Sequence, residues 1–248
     1  MEYKYNLLRS PDDIRDYRSG NRFSAFELPE ELDYRPLMLP IRDQGTQGAC
    51  VAMSAAAMKE FQDRTAEHLS PQFIYNNRED PQEGMIMRDL LRILINYGVC
   101  LEPLCKYGTD GVSEEAYANA LGYKIKGYAR IYNVDELKAT LFLQGPCIIA
   151  VPVYNSESRI WYRKDNEELL GGHAMCVVGY NKEGFIIRNS WGYDWGDGGY
   201  CYMPYSDLGY AWEVWGTIDD DTVIEPKPTV TKKCWLKEWF KKTFSRNE

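Results

Sequence analysis

The chain has few histidines and no long apolar run, and both absences restrict what it can do. Its 248 residues include only two histidines, His68 and His173. A structural zinc site needs clustered cysteine and histidine ligands, and no CxxC pair occurs, so no metal site is expected. No apolar run approaches the roughly 18 residues that span a bilayer, and the charged N-terminus lacks the apolar stretch of a secretory signal. We therefore expect a cytoplasmic monomer.

Positive charge is also scarce, since 29 Lys and Arg face 37 Asp and Glu, for a net charge of −8. A surface that binds nucleic acid must be basic to attract phosphates, so this charge argues against general nucleic-acid binding. The exception is the segment 231–248, with six Lys or Arg and two Glu. Its apolar residues recur every four positions, which predicts a short basic amphipathic helix. Docking on its own domain, a disordered end, and contact with a membrane surface or a partner all stay open.

The regular patterns differ between the two halves of the chain. Helix formers at 50–62, a Ser70-Pro71 start signal before 72–76, and i, i+3, i+4, i+7 spacing over 87–97 predict three helices. After residue 120, β-branched and aromatic runs predict strands at 123–132, 146–153, 173–180, 185–189 and 200–203, with a helix at 134–142. Helices followed by strands indicate the α+β class, with two lobes and a cleft between them. Acidic and proline residues predict a linker over 219–230.

The cysteine count is odd, so at least one thiol must be unpaired. Several of the cysteines lie inside apolar runs, as expected for buried reduced thiols that act as small hydrophobic residues. The seven are Cys50, Cys100, Cys105, Cys147, Cys176, Cys201 and Cys234.

One cysteine differs from the rest in its surroundings. Cys50 follows the flexible stretch 44–48 and opens the alanine-rich helix, so its thiol lies at the positive end of the helix dipole, which stabilises a thiolate. Its backbone N–H lacks a partner within the helix and is free to face a developing oxyanion. The Gln44 side chain, six residues earlier, can donate a second hydrogen bond.

The base and its orienting group come from the second half of the chain. His173 begins one predicted strand, and Asn189 ends the next one. If these strands pair across the turn near Gly184, Asn189 lies near His173 and fixes the tautomer of the imidazole. The other histidine, His68, precedes a helix start and is expected to be a surface or capping residue.

Three segments together resemble the papain-like cysteine peptidases. They are DYRPLMLPIRDQGTQGACVAMSAA, GGHAMCVVGY and IRNSWGYDWGDGGYCYM, and they occur in that family's order. The resemblance covers about residues 28–216 and implies the two-lobe papain-like fold. It also implies that Cys50 is the nucleophile, His173 the base, Asn189 its orienter and Gln44 the oxyanion donor. Trp191 would shield the Asn–His bond from water.

The resemblance further implies where a substrate binds. The segment EGMIMRDLLRIL is similar to the family's wall strand and the helix after it, so Gly84 would bond the substrate backbone. Met85 and Ile86 would line the main specificity pocket. The remaining substrate-binding positions, on the strands opposite, are Ala150, Gly172 and Ala174. The pocket is therefore expected to be apolar and to prefer a bulky hydrophobic residue two positions before the scissile bond.

The sequence also departs from the family. Gln47 stands where the family has a disulfide-bonded cysteine, and no cysteine occurs between Cys50 and Cys100, which favours a reducing compartment. Val51 replaces the usual tryptophan after the nucleophile. Residues 1–27, which precede the peptidase domain at 28–218, are too few for the family's helical prodomain. They are expected to form a strap across or near the cleft.

The sequence thus predicts a cysteine peptidase that hydrolyses peptide bonds through a thioester, with an endopeptidase as the default. Its partner is a peptide or protein substrate, and the chemistry requires no cofactor. Two alternatives remain at this point. One is a papain-fold binding or scaffold protein without turnover, and the other is a Cys-His amidase or transpeptidase.

Overall fold

The structure is a computed structural model that describes residues 3–11, 13, 16, 27–80 and 84–219. The predicted basic tail and nearly all of the predicted linker lie outside the described residues. We use the name leader for residues 1–27, of which 3–11, 13, 16 and 27 are described. No helix in the described ranges is long and apolar enough to cross a membrane.

Three of the five helices begin at a residue whose side chain caps the first turn. Ser70 Oγ accepts a hydrogen bond from Phe73 N at 2.9 Å, and Asn133 Oδ1 accepts one from Glu136 N at 2.9 Å. Both are N-cap contacts that satisfy an orphan donor of the first turn. The five helices are α1 (Cys50–Asp63), α2 (Pro71–Asn76), α3 (Met87–Asn96), α4 (Glu114–Ala120) and α5 (Val134–Gln144).

Nine strands are present in the described residues, two of them paired in a small separate sheet. They are β1 (Leu7–Leu8), β2 (Leu32–Asp33), β3 (Met85–Ile86), β4 (Gly127–Ile131), β5 (Cys147–Val153), β6 (Gly171–Tyr180), β7 (Gly184–Arg188), β8 (Tyr200–Pro204) and β9 (Glu213–Ile218). The large sheet is antiparallel, in the order β4-β9-β5-β6-β7-β8, and β2 adds to β6. In the small sheet, β1 of the leader pairs in parallel with β3.

Two large hydrophobic clusters lie on opposite faces of the large sheet. One joins α1 and α3 to the face of β5 and β6, through residues such as Met58, Leu90 and Ala174. The other fills the opposite side of the sheet around Trp161 and Phe185. Helix α1 therefore packs between the helical lobe and the sheet, and its N-terminus opens at the boundary of the two. The α+β two-lobe fold is confirmed.

The predicted and observed elements differ in the length of one strand and in several short elements that were not predicted. The predicted strand 123–132 is too long, because Leu121–Tyr123 form a 3₁₀ turn and the strand begins at Gly127. Helix α4 and strands β1, β2 and β9 were not predicted. The predicted pairing of the His173 strand with the next one is confirmed, with Cys176 opposite Arg188.

Candidate active site

Cys50 is the first residue of α1, as the sequence predicted. Ala49 precedes it with non-helical backbone angles, and the turn before that uses Gly45 at φ +58°, in the left-handed region. The thiol is fully buried. Backbone N–H groups of Ala174, Val51 and Cys50 itself stabilise the thiolate. The sulfur thus lies against β6, at the residue that follows His173.

His173 and Asn189 are brought together by the β6–β7 pairing. Their side chains are joined by a 2.7 Å contact between His173 Nε2 and Asn189 Oδ1. This contact assigns the proton to Nε2 in the neutral ring, since the amide oxygen can only accept. The other ring nitrogen, Nδ1, is then an acceptor that has no hydrogen-bond partner among the described residues. No hydrogen bond therefore joins His173 Nδ1 to the Cys50 sulfur among the described residues.

Burial sets the protonation of both groups. It raises the pKa of the Cys50 thiol to about 11, against the lowering effect of the backbone N–H groups. It also lowers the pKa of His173 to about 4, although the bond to Asn189 acts in the opposite direction. Both groups are consequently neutral at pH 7. A reactive thiolate requires access to solvent that this arrangement denies.

Trp191 covers the imidazole. Its ring lies 4.5 Å from the His173 ring, centroid to centroid, with the planes tilted by 35°. Only 2% of the indole is exposed. The ring thus lies over the imidazole, on the side from which water would reach it.

Gln44 is tied to the loop that follows Asn189. Its Oε1 accepts a hydrogen bond from Ser190 Oγ at 2.7 Å, and its Nε2 donates to Gln47 O at 3.1 Å. The backbone N–H of Gln44 also donates to Ser190 O at 2.8 Å. An amide nitrogen carries two hydrogens, so one donor of Nε2 is left for a substrate oxygen. Ser190 was missed by the sequence analysis, although it stands in the motif that carries Asn189.

The leader lies in the cleft between the lobes. Asn6 forms a bridge with Gly172, and its carbonyl packs directly on Gly84, where an added Cβ would come within 1.4 Å of the oxygen. The Asn6 side chain lies on Gly48, whose Cβ would come within 2.7 Å of Nδ2. Three glycines thus form the surface against which the leader backbone rests. The strap predicted from the sequence crosses the predicted substrate positions.

Leu7 fills the space predicted to be the specificity pocket. It pairs with Met85 and is 2% exposed, whereas its neighbour Leu8 is 43% exposed. An added Cβ at Gly172 would lie 2.9 Å from Leu7 Cδ2. Leu7 belongs to one apolar cluster with the predicted pocket residues Met85, Ala150 and Ala174. Ile86, the other predicted wall residue, is half-buried and pairs with Leu8.

Two leader tyrosines lie against Trp191 at the other end. The Tyr3 ring stacks on the indole at 4.7 Å, with the planes 14° apart, and its hydroxyl donates to Trp191 O at 3.1 Å. Tyr5 meets the same indole edge-on at 5.8 Å. Aromatic contacts of this kind add to area burial. The leader therefore covers Trp191 as well as the pocket.

The second histidine lies in a different environment from the first. His68 Nδ1 is 3.1 Å from Glu60 Oε1, and the same carboxylate oxygen accepts from Arg42 Nη2 at 2.9 Å. His68 is therefore partly buried beside a carboxylate that also binds Arg42, instead of lying at the open surface or capping a helix.

The remaining cysteines resemble core residues. The six in the described ranges are all buried and free of disulfides, and burial raises the pKa of Cys147, Cys176 and Cys201. Cys234 lies outside the described residues.

Comparisons with known proteins agree with this geometry. A family model described as papain family cysteine protease matches residues 28–211. Among curated proteins, an uncharacterized peptidase C1-like protein of Acanthamoeba polyphaga mimivirus is 30% identical, over 73% of this chain and 70% of its own length. Cysteine proteinase 2 of Entamoeba histolytica is 28% identical over 73% of this chain, which spans 65% of that protein.

Among solved structures, xylellain, a cysteine protease from Xylella fastidiosa, superposes with a TM-score of 0.76 at 30% identity, covering 87% of this chain and 96% of that one. Together with the matched family model, these likenesses show that the chain belongs to the papain family of cysteine proteases.

Proposed function

We propose that the chain hydrolyses peptide bonds with Cys50 as the nucleophile, His173 as the base and Asn189 as the residue that orients it. The single observation that carries this proposal is the 2.7 Å contact between His173 and Asn189, beside a cysteine at the N-terminus of a 14-residue helix. The macrodipole of α1 stabilises the thiolate once water reaches the site.

The proposed reaction has two steps. His173 Nδ1 first takes the proton of the Cys50 thiol. The resulting thiolate attacks the carbonyl carbon, and the oxyanion accepts hydrogen bonds from the Cys50 N–H and Gln44 Nε2. His173 then gives a proton to the leaving amine, and the C–N bond breaks to leave a thioester on sulfur. A water molecule, deprotonated by His173, hydrolyses the thioester and restores the thiol.

The proposed chemistry also fixes the direction in which a substrate chain runs along the cleft. The leaving amine must lie on the side of His173 and Trp191, since it receives its proton there. The acyl part stays on the opposite side, along Gly84 and Met85. A substrate therefore runs from its N-terminal part at Met85 to its C-terminal part at Trp191.

The leader runs the other way, because Tyr3 lies at Trp191 and Leu7 lies at Met85. A peptide of reversed polarity cannot present a carbonyl carbon with its leaving nitrogen toward His173. The leader is accordingly a cover that must move before a substrate binds, and it is not itself a substrate in this position. The leader lies along the cleft from Trp191 to Met85, so a polypeptide fits on both sides of the scissile position, which supports endopeptidase action.

The occupant of the pocket supports an apolar preference. Leu7 is buried among apolar side chains, so a substrate should place a bulky hydrophobic residue there, two positions before the scissile bond. Profiling with a peptide library tests this directly. A profile dominated by arginine or aspartate at that position would contradict it.

The decisive experiment is turnover of fluorogenic peptides by the wild type and by Cys50→Ala, with reductant present. We expect turnover by the wild type after the leader is displaced, and none by the variant. Analysis of products with and without an added amine separates hydrolysis from amide transfer. Turnover that survives Cys50→Ala would overturn the assignment.

We also propose that the chain works in a reducing, cytoplasmic setting. The support is that the six described cysteines are buried and unpaired, so the fold does not need a disulfide among them. Differential alkylation of the protein purified from its native cells, followed by mass spectrometry, checks this. A disulfide-bonded native form would refute it.

A further inference from the structure

A buried ion pair anchors the leader beyond the pocket. Asp16 Oδ2 lies 2.7 Å from Arg88 Nη2 and 3.8 Å from Arg130 Nη1. The side chains are 6%, 8% and 8% exposed, in that order. Arg88 belongs to α3 and Arg130 to β4, so one leader carboxylate connects two elements that are far apart in the chain.

Further hydrogen bonds fix the leader between the pocket and this ion pair. Arg88 Nη1 donates to Pro11 O at 2.6 Å, and Arg88 N donates to Ser10 Oγ at 3.3 Å. The Ser10 N–H donates to Glu213 Oε1 at 2.9 Å. Ser10, Pro11 and Asp16 are thus held by groups that lie outside the catalytic set of Cys50, His173 and Asn189.

The surroundings favour a carboxylate at this point. Both guanidinium carbons lie within 6 Å of the Trp215 ring, at 5.9 Å for Arg88 and 5.6 Å for Arg130. The Trp215 indole N–H donates to Glu213 Oε2 at 2.7 Å, so that nearby carboxylate is engaged on both oxygens. In addition, Arg88 Nε is buried without a hydrogen-bond partner in the described structure. Two guanidinium groups in a poorly hydrated site favour an anion between them.

We propose that Arg88 and Arg130 form a carboxylate-binding site at the acyl end of the cleft, that Asp16 occupies it, and that this pair holds the leader over Cys50. This inference rests on the proposed function in one respect, namely that Cys50, which the leader protects, is the catalytic nucleophile. Because Asn6, Leu7 and Asp16 all belong to the leader, releasing the carboxylate loosens the part that packs on Gly48, two residues before Cys50. The ion pair between Asp16 and the two arginines, which we call the lock, can therefore be altered without changing the catalytic groups.

The test compares Asp16→Asn with Glu30→Gln in the full-length chain. Both changes remove one negative charge and keep the shape of the side chain, but Glu30 is exposed. The readout is the rate at which iodoacetamide alkylates Cys50, followed by peptide mass analysis at pH 7.5. We expect Asp16→Asn to react at least tenfold faster than the wild type, and Glu30→Gln to match the wild type. Equal rates for all three proteins would overturn the proposal.

Two further variants distinguish release of the leader from a general loss of folding stability. Asp16→Glu keeps the charge and should stay within about threefold of the wild-type rate. Arg130→Gln weakens the site from the other side and should also accelerate alkylation, so it replaces Asp16→Asn if that variant does not fold. Alkylation that rises in step with a lower unfolding temperature, and equally at Cys201 in the distant core, would indicate global opening and refute the lock.

The readout separates this proposal from the previous one. Alkylation of Cys50 does not require turnover. If Asp16→Asn were labelled faster but the protein cleaved no peptide, the peptidase assignment would be refuted and the carboxylate site would be supported. Turnover by the wild type with unchanged labelling in Asp16→Asn would do the reverse.

Discussion

Leu7→Ala should uncover the active site, and the size of the effect follows from its burial. Leu7 is 2% exposed in the pocket, and Leu8 beside it is 43% exposed. Truncating a buried leucine to alanine costs about 2–3 kcal/mol where the site is at a surface, counting the lost burial and the space left behind. At about 1.4 kcal/mol per tenfold, the open population rises by roughly 30- to 150-fold.

The assay is the alkylation rate of Cys50, which tracks the open population when the leader opens and closes faster than the reagent reacts. Leu8→Ala is the matched control, since it removes the same atoms from the same strand at an exposed position. We expect it to stay within about threefold of the wild type. If Leu7→Ala and Leu8→Ala gave the same rate, the leader would not be held by the pocket, and the interpretation of Leu7 would be refuted.

Three further predictions concern the catalytic groups. Asn189→Ala should lower kcat at least tenfold with little change in KM, because the imidazole loses the acceptor that orients it, as steady-state kinetics will reveal. Ser190→Ala should lower kcat less, since it frees Gln44 Oε1 without removing the Nε2 donor; an effect as large as that of Gln44→Ala would contradict this. In a Cys50→Ala background, the stability of the chain should fall as the pH drops from 6.5 towards 4. The folded pKa of His173 lies below its unfolded value, so protonation favours unfolding, by up to about 3 kcal/mol near pH 4. Urea unfolding should show a smaller loss over this range for His173→Gln in the same background.

Local signals explain what the sequence predicted well. The start of α1 at Cys50 and the cap at Ser70 depend on residues within one turn of the chain. The pairing of β6 with β7 needs only a short turn near Gly184, so the proximity of His173 to Asn189 followed from the strand register.

Contacts between distant residues explain what the sequence did not predict. The hydrogen bond between Ser190 and Gln44 joins positions 146 residues apart, and no repeating pattern in the sequence predicts it. Strand β1 has only two residues and takes its conformation from β3, so its own sequence carries no strand signal. The Asp16 site joins three segments that only the folded chain brings together.

The sealed thiol has a consequence for storage of the protein. Oxidants attack the thiolate of an accessible cysteine, and a thiol with a pKa of about 11 under a closed leader offers almost none. The covered chain should therefore survive peroxide that would inactivate an uncovered one. The leader then protects the Cys50 thiol from oxidation, and Cys50 would become susceptible to sulfenic acid formation only when the cleft opens.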